Sequence, residues 1–159
     1  GLTLVTHYAD CVPLYFVDPV HRAIGLAHAG WRGTVAEMGR CMVEKMTTEF
    51  GSDPAELVTA IGPSIGACCY EVDTPVIEKV RALSYIPMEC VLQPVSKERA
   101  MLDLWEVNRR VLLHAGVRAE NIFVSGVCTC CHRELLFSHR ATHGHRGGLC
   151  AFLQIRDDQ

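Results

Sequence analysis

Cys11-Val12-Pro13-Leu14-Tyr15-Phe16-Val17 and Arg22-Ala23-Ile24-Gly25-Leu26-Ala27-His28, separated by Asp18-Pro19-Val20-His21, decide the reading of this 159-residue chain. Two apolar runs joined by four residues of strong turn chemistry make a β-hairpin. With those four residues as the turn, Val17 faces Arg22 and Cys11 faces His28. Bulky Val12, Leu14 and Phe16 then stand opposite small Ala27, Gly25 and Ala23. Both faces are apolar, which places the hairpin inside a layered α/β domain covered on both sides.

In that register Cys11 and His28 share a face. Directly opposite residues have Cβ atoms about 4.5 to 5.5 Å apart, close enough for a thiolate and an imidazole to bind one zinc or to form a nucleophilic pair. The competing reading is a buried cysteine beside a hydrogen-bonded core histidine. Pro13 adds a risk, because it cannot donate to a ladder and a one-residue slip would separate the two groups. His7 lies four extended residues from Cys11, about 13 Å, too far to join the same ion without a bend. A catalytic zinc normally has three protein ligands, so the pair is one ligand short.

Gly30-Trp31-Arg32-Gly33-Thr34 links the second strand to a helix. Backbone N–H groups at the helix start, its dipole and the Arg32 guanidinium could hold phosphate beside the metal candidates. Thr34-Val35-Ala36-Glu37 reads as a capping box, followed by apolar residues at helical spacing through Met38, Met42, Met46 and Phe50 to a stop at Gly51. Further along, the pattern predicts a strand over 57–61, a helix over 75–83 near Asp73, and a helix capped by Asp103 that ends at Gly116. Strands over 122–128 and 149–155 bracket a polar loop. The alternation of strands and helices is mixed α/β.

Composition narrows the function. The charged share is 21%, the net charge is −3, and no Lys/Arg cluster exceeds a pair, which argues against nucleic-acid partners. No apolar run approaches the ~20 residues of a membrane span. Nine cysteines, an odd count with two vicinal pairs, do not resemble a secreted disulfide framework. With no signal peptide at the start, they predict a reduced, cytoplasmic setting. Cys128-Thr129-Cys130-Cys131-His132, to which Cys68-Cys69 could add, has the composition of a second metal cluster. Read as an extended run, however, it puts Cys128 and Cys130 on one face and Cys131 on the other, and its spacing does not read as a zinc knuckle. Packing is then the expected role of Cys69, Cys128, Cys130 and Cys131. The single His143-x-His145 pair is too little for a multicopper centre.

The ordered motifs Ala9-Asp10-Cys11-Val12-Pro13-Leu14, Gly25-Leu26-Ala27-His28-Ala29-Gly30-Trp31-Arg32-Gly33-Thr34, Gly62-Pro63-Ser64-Ile65-Gly66-Ala67-Cys68-Cys69-Tyr70-Glu71 and Phe137-Ser138-His139-Arg140 resemble the bacterial YfiH/YlmD family, also called laccase-domain or polyphenol-oxidase proteins. The resemblance covers essentially the whole chain. It implies a layered α/β/β/α sandwich with mixed sheets. It also implies a zinc held by one cysteine and two histidines, of which Cys11 and His28 match two; copper could bind in vitro. The third ligand of the family, a histidine, is expected upstream of Gly1. Because the chain opens without Met and directly as a strand, residues 1–159 are expected to be the larger C-terminal part of a single domain.

The implied reactions are phosphorolysis of adenosine, inosine, guanosine or methylthioadenosine to base and sugar 1-phosphate, and deamination of adenosine. Purine nucleosides and phosphate are the expected partners. Cys11, His28 and Arg32 are the expected catalytic residues, with Arg32, Gly33 and Thr34 holding phosphate. The chain departs from the family where Gly147-Gly148-Leu149-Cys150 replaces a Gly-Arg-Met-like stretch, a role that Arg146 could partly cover. A metal-free Cys-His hydrolase and a copper-dependent polyphenol oxidase are the rival readings.

Overall fold

The computed structural model describes residues 1–156. The hairpin is formed by β2 (Val12–Asp18) and β3 (Ala23–Ala29), but its turn starts one residue later than the sequence suggests. Asp18 is the last paired residue, opposite Ala23, and the turn is Pro19 to Arg22. The cause is local. The Asp18 carboxylate accepts the Val20 and His21 N–H groups at 2.8 and 3.0 Å and meets the His21 ring at 2.8 Å, while Arg22 takes a left-handed φ of 51°. The aspartate thus closes the turn from the strand end instead of sitting inside it.

Every pair consequently moves by two positions. Val12 faces Ala29, Leu14 faces Ala27, Phe16 faces Gly25, and Pro13, not Cys11, faces His28. Because side chains alternate with a period of two, this shift leaves each residue on its expected face. Pro13 is accommodated just beyond the ladder to β4 (Val58–Ile61), which begins at Leu14, and its carbonyl accepts the Gly62 N–H.

β2 and β3 belong to a four-stranded mixed sheet of order β3-β2-β4-β8, in which β8 (Ile122–Val124) runs parallel to β4. Val12, Leu14 and Phe16 are fully buried on one face of it. That face is covered by α2 (Met38–Phe50) through Val43 and Met46, and α2 in turn packs on α4 (Leu104–His114). Small residues permit the close approach: a Cβ on Gly25 would lie 2.7 Å from Met42 Cε, and one on Gly39 would lie 3.2 Å from Leu112 Cδ2. Against the other side of β3 pack β1 (Thr3–Tyr8) and β9 (Leu149–Gln154), an antiparallel pair. A third sheet, β5-β7-β6, is made by Glu71–Asp73, Arg99–Leu102 and Leu92–Pro94, and α3 (Thr74–Arg81) packs beside β5 and β7. The expected mixed α/β architecture is present.

Two local expectations are corrected. The capping box does not form: α1 (Trp31–Val35) begins before it, and the chain breaks at Glu37, whose φ is 55°. Glu37 instead accepts the Tyr85 hydroxyl at 2.6 Å and pairs with Arg40, so its side chain is unavailable to cap Thr34. The strand expected over 122–128 stops at Val124, and most of the following 24 residues form turns and loops. Asp103 does cap α4, accepting the Glu106 N–H at 2.9 Å, and Gly51 and Gly116 follow α2 and α4 with positive φ. Among the described residues no helix is long and apolar enough to cross a membrane.

Candidate active site

Asp10 governs the start of β2. It is buried with a left-handed φ of 76°, a conformation that aspartate tolerates better than most side chains. Three segments hold it there. Its carbonyl accepts Ile65 N–H at 2.9 Å, and its carboxylate accepts the Thr129 hydroxyl and the Arg140 N–H, each at 2.7 Å. Cys11 is carried by this anchored residue.

Cys11 and His28 meet over Gly30. A Cβ built on Gly30 would lie 2.8 Å from Cys11 Sγ and 3.7 Å from His28 Nε2, so glycine leaves open a cradle flanked by a sulfur and an imidazole nitrogen. That donor set suits zinc. His28 is exposed and Cys11 half-buried. Burial pushes the Cys11 thiol up, the Asp10 carboxylate adds to the rise, and Arg146 opposes it. Arg146 is therefore close enough to act on Cys11 electrostatically, whereas Cys11 itself is not preactivated as a free nucleophile.

Beside this pair the Arg32 guanidinium lies over the Trp31 ring, 4.4 Å from its centroid. Arg140 lies 5.2 Å from the Tyr70 centroid and is fixed by bonds to the carbonyls of Cys69 and Glu71 at 3.2 and 3.0 Å. Trp31, Tyr70, Arg99 and Arg140 line a cleft of about 430 Å³. Burial, partly opposed by Arg140, leaves the Tyr70 phenol pushed up to about 12, so it remains a hydrogen-bond donor at neutral pH. Cys11, His28 and Arg32 line neither this cleft nor the larger cavity of about 650 Å³ near Met88 and Met101; Trp31, which follows Gly30, and Tyr70, whose phenol feels the Cys11 charge, are the cleft's links to the pair.

The remaining expected residues divide. Gly33 follows Arg32 in α1, and a Cβ there would lie 3.2 Å from the His28 carbonyl. Thr34 is wholly buried: its N–H bonds Gly30 O, its hydroxyl donates to Ala29 O and accepts from Asn108. Its polar groups are thus committed to joining α1 to β3 and α4, which assigns it to the framework of the loop rather than to anion contact. His7 meets Cys150 across the β1–β9 ladder, with Nδ1 and Sγ 3.0 Å apart.

The second cysteine group departs most from its sequence reading. Residues 128–132 form a turn, closed by His132 N–H to Cys128 O, so strand alternation does not apply. Cys128 and Cys131, three residues apart, fall on one side, and this spacing is itself C-x₂-C. Together with Cys68 and Cys69 they place four sulfurs within 4.8 Å of one another, a group able to bind a metal. Burial works against the Cys128 thiolate, but N–H groups of Gly66 and Cys131 outweigh it and hold that thiol below its ordinary value. Packing does account for part of the role, since Cys128 is buried in the core.

Comparison with known proteins now settles the family. A model for multi-copper polyphenol oxidoreductase laccase matches residues 1–156. The chain belongs to this laccase-domain family. It is 43% identical over 150 residues to the Bacillus subtilis purine nucleoside phosphorylase YlmD, covering 94% of this chain and 54% of that protein. The crystal structure of Bacillus licheniformis hypothetical protein YfiH superimposes with a TM-score of 0.92 at 44% identity, over 95% of this chain and 57% of that one. A protein from an unknown prokaryotic organism named adenosine deaminase RL5 is 36% identical over 140 residues, 88% of this chain and 52% of its own length. The chain therefore spans little more than half the length of these relatives.

Sequence reasoning did not single out Tyr70, Arg140 or Asp10 for the site. All three lie inside the motifs that carry the family resemblance. Asp10 adjoins Cys11 in its motif, whereas Tyr70 and Arg140 lie 59 and 129 residues from it, and spacing along the chain says nothing about which loops meet.

Proposed function

We propose that this chain carries the larger part of a zinc-dependent purine nucleoside phosphorylase that also deaminates adenosine. The observation that carries the reading is the cradle over Gly30, where Cys11 Sγ and His28 Nε2 face one open position beside Trp31 and Arg32. The names of two relatives support the two activities. The reading includes a third, histidine ligand from outside these residues, consistent with His7 being engaged with Cys150.

Cys11 and His28 would hold the ion. The chemistry it supplies when bound is Lewis-acid activation of water for deamination. Trp31 and Tyr70 present aromatic surface on which a purine ring can stack, and Arg32 and Arg140 flank it with positive charge. Arg32 is the exposed arginine and the better placed to bind phosphate for attack at the anomeric carbon. Arg140, bonded to two carbonyls, fixes the wall of the cleft. The phenol of Tyr70, protonated at neutral pH, can donate to a base nitrogen or a phosphate oxygen.

The test is chromatography of inosine and adenosine incubated with the protein, with and without phosphate, on this chain and on one extended at its N-terminus. Hypoxanthine from inosine only when phosphate is present is the expected result; hypoxanthine without phosphate identifies hydrolysis and overturns phosphorolysis. A protein with Cys11→Ala and His28→Ala should lose activity beyond the roughly 10–100-fold that removing an outer partner of a metal ligand costs. Retention of the parent rate in that double variant would remove the zinc assignment.

A further inference from the structure

We propose that Cys68, Cys69, Cys128 and Cys131 form a tetrathiolate zinc site, separate from Cys11 and His28, that clamps the loop after β4 to the turn at 128–132. The sulfurs are already gathered. Cys131 Sγ is 3.5 Å from both Cys68 Sγ and Cys69 Sγ, and all four sulfurs lie within 4.8 Å of one another. A tetrahedral zinc with Zn–S bonds of about 2.3 Å sets its sulfurs about 3.8 Å apart, so closure on an ion needs only small side-chain movements. A disulfide between any two needs about 2.05 Å and would leave the other pair unused.

The backbone around the cluster is braced independently of any ion. Ser64 bridges to Cys128, the Ser64 carbonyl accepts Thr129 N–H at 3.1 Å, and Gly66 N–H donates to Cys128 Sγ at 3.2 Å. N–H donors to sulfur are the outer partners that favour thiolate ligands. Gly66 has no space to spare, since a Cβ there would lie 3.0 Å from the Trp105 ring. Trp105 in turn donates to Ser64 Oγ at 2.7 Å.

Ligand chemistry selects the ion. Four thiolates suit a thiophilic d¹⁰ cation, and four protein ligands with no open position describe a structural site rather than a catalytic one. On binding Zn²⁺ the four thiols release four protons to solvent, leaving the site with two negative charges. The Arg140 guanidinium, held on the Cys69 and Glu71 carbonyls, supplies adjacent positive charge. The clamp reaches the other site through Asp10 beside Cys11, whose carboxylate accepts from Thr129, between Cys128 and Cys131, and from the N–H of Arg140, which is held on the Cys69 carbonyl. This inference stands whether or not the nucleoside reading does.

Two measurements on the whole protein test it. First, metal content by plasma mass spectrometry after growth with zinc: the Cys11→Ala/His28→Ala variant should retain one zinc per chain, and adding Cys68→Ser and Cys131→Ser should remove it. No zinc in the first variant, or zinc unchanged in the second, overturns the proposal. Second, and requiring no substitution at the cluster, iodoacetamide labelling mapped by peptide mass. Exposed Cys68 and Cys131 should resist labelling in the zinc-loaded protein while exposed Cys41 and Cys90 react, and a strong zinc chelator should abolish the difference. Equal labelling of all four before and after chelation overturns it, as does copper alone retained on these thiols when both ions are offered.

Discussion

Cys11, the residue before β2, and His28, near the end of β3, lie at one end of two paired strands, whereas Cys68, Cys69, Cys128 and Cys131 lie on two turns brought together from 59 to 63 residues apart. Both groups bring together side chains that bind metals, yet they arise by different means. On strands, the period of two carries a side chain's direction along the whole element, so a shift of two positions in the hairpin keeps His28 on its expected face, and Cys11, just before β2, meets it over Gly30. On turns no such period operates. The four thiols converge because Ser64 and Cys128 bridge and Asp10 ties the surrounding loops. A strand site thus tolerates an error of register by an even number, and a turn site depends on each tertiary contact.

Three substitutions would break or sharpen this contrast. The largest effect is expected from Gly30→Ala, which places a methyl 2.8 Å from Cys11 Sγ and displaces one donor without touching the turn cluster. The proposed nucleoside turnover should fall by about 100-fold, the cost of misplacing a reacting group by about 1 Å. Zinc on the four-thiol site should be unchanged, and loss of both sites together would show that they are one unit.

Next comes Asp10→Asn, which keeps the shape and tolerates the left-handed backbone but removes the charge from bonds to Thr129 and Arg140. Bonds to a charged group contribute about 1.5–3 kcal/mol, so the unfolding free energy measured by denaturant titration should fall by an amount up to that range. Because Asp10 joins the two regions, both zinc retention and turnover should decline; a change in one alone would separate them.

The smallest effect belongs to the hairpin turn. Burial raises the Asp18 carboxyl, but the Ser52 hydroxyl beside it, the backbone and ring of His21 and the Val20 N–H outweigh it and hold it at about 2, below the usual 3.8. A depressed folded-state value means that the ionised form stabilises the fold above pH about 4, and that this stabilisation disappears as pH falls through about 2. Chemical denaturation across that window should show the decline in the parent and a flatter profile in Asp18→Asn. An equally steep profile in the variant would place the acid sensitivity elsewhere.

Much of the fold was legible in the chain. The apolar runs of the hairpin, the spacing through Met42, Met46 and Phe50, Asp103 as a cap and Gly51 and Gly116 as stops are local signals, and each appears in the structure near its expected place. The misreadings were local competitions decided from afar. Glu37 was drawn away from Thr34 by Tyr85, 48 residues distant, and Thr34 by Asn108, 74 residues distant.

By itself, then, the sequence determined which residues form the two strands of the hairpin and which of their faces are apolar, but not which residue pairs with which. These are properties of backbone periodicity, which operates over a few residues. Only the tertiary structure decided that Asp10 anchors Cys11, that Tyr70 and Arg140 complete the cleft, and that two cysteine pairs form one cluster. Those outcomes depend on which loops meet, and that is settled by hydrogen bonds and packing between segments whose separation along the chain carries no information about their distance in space.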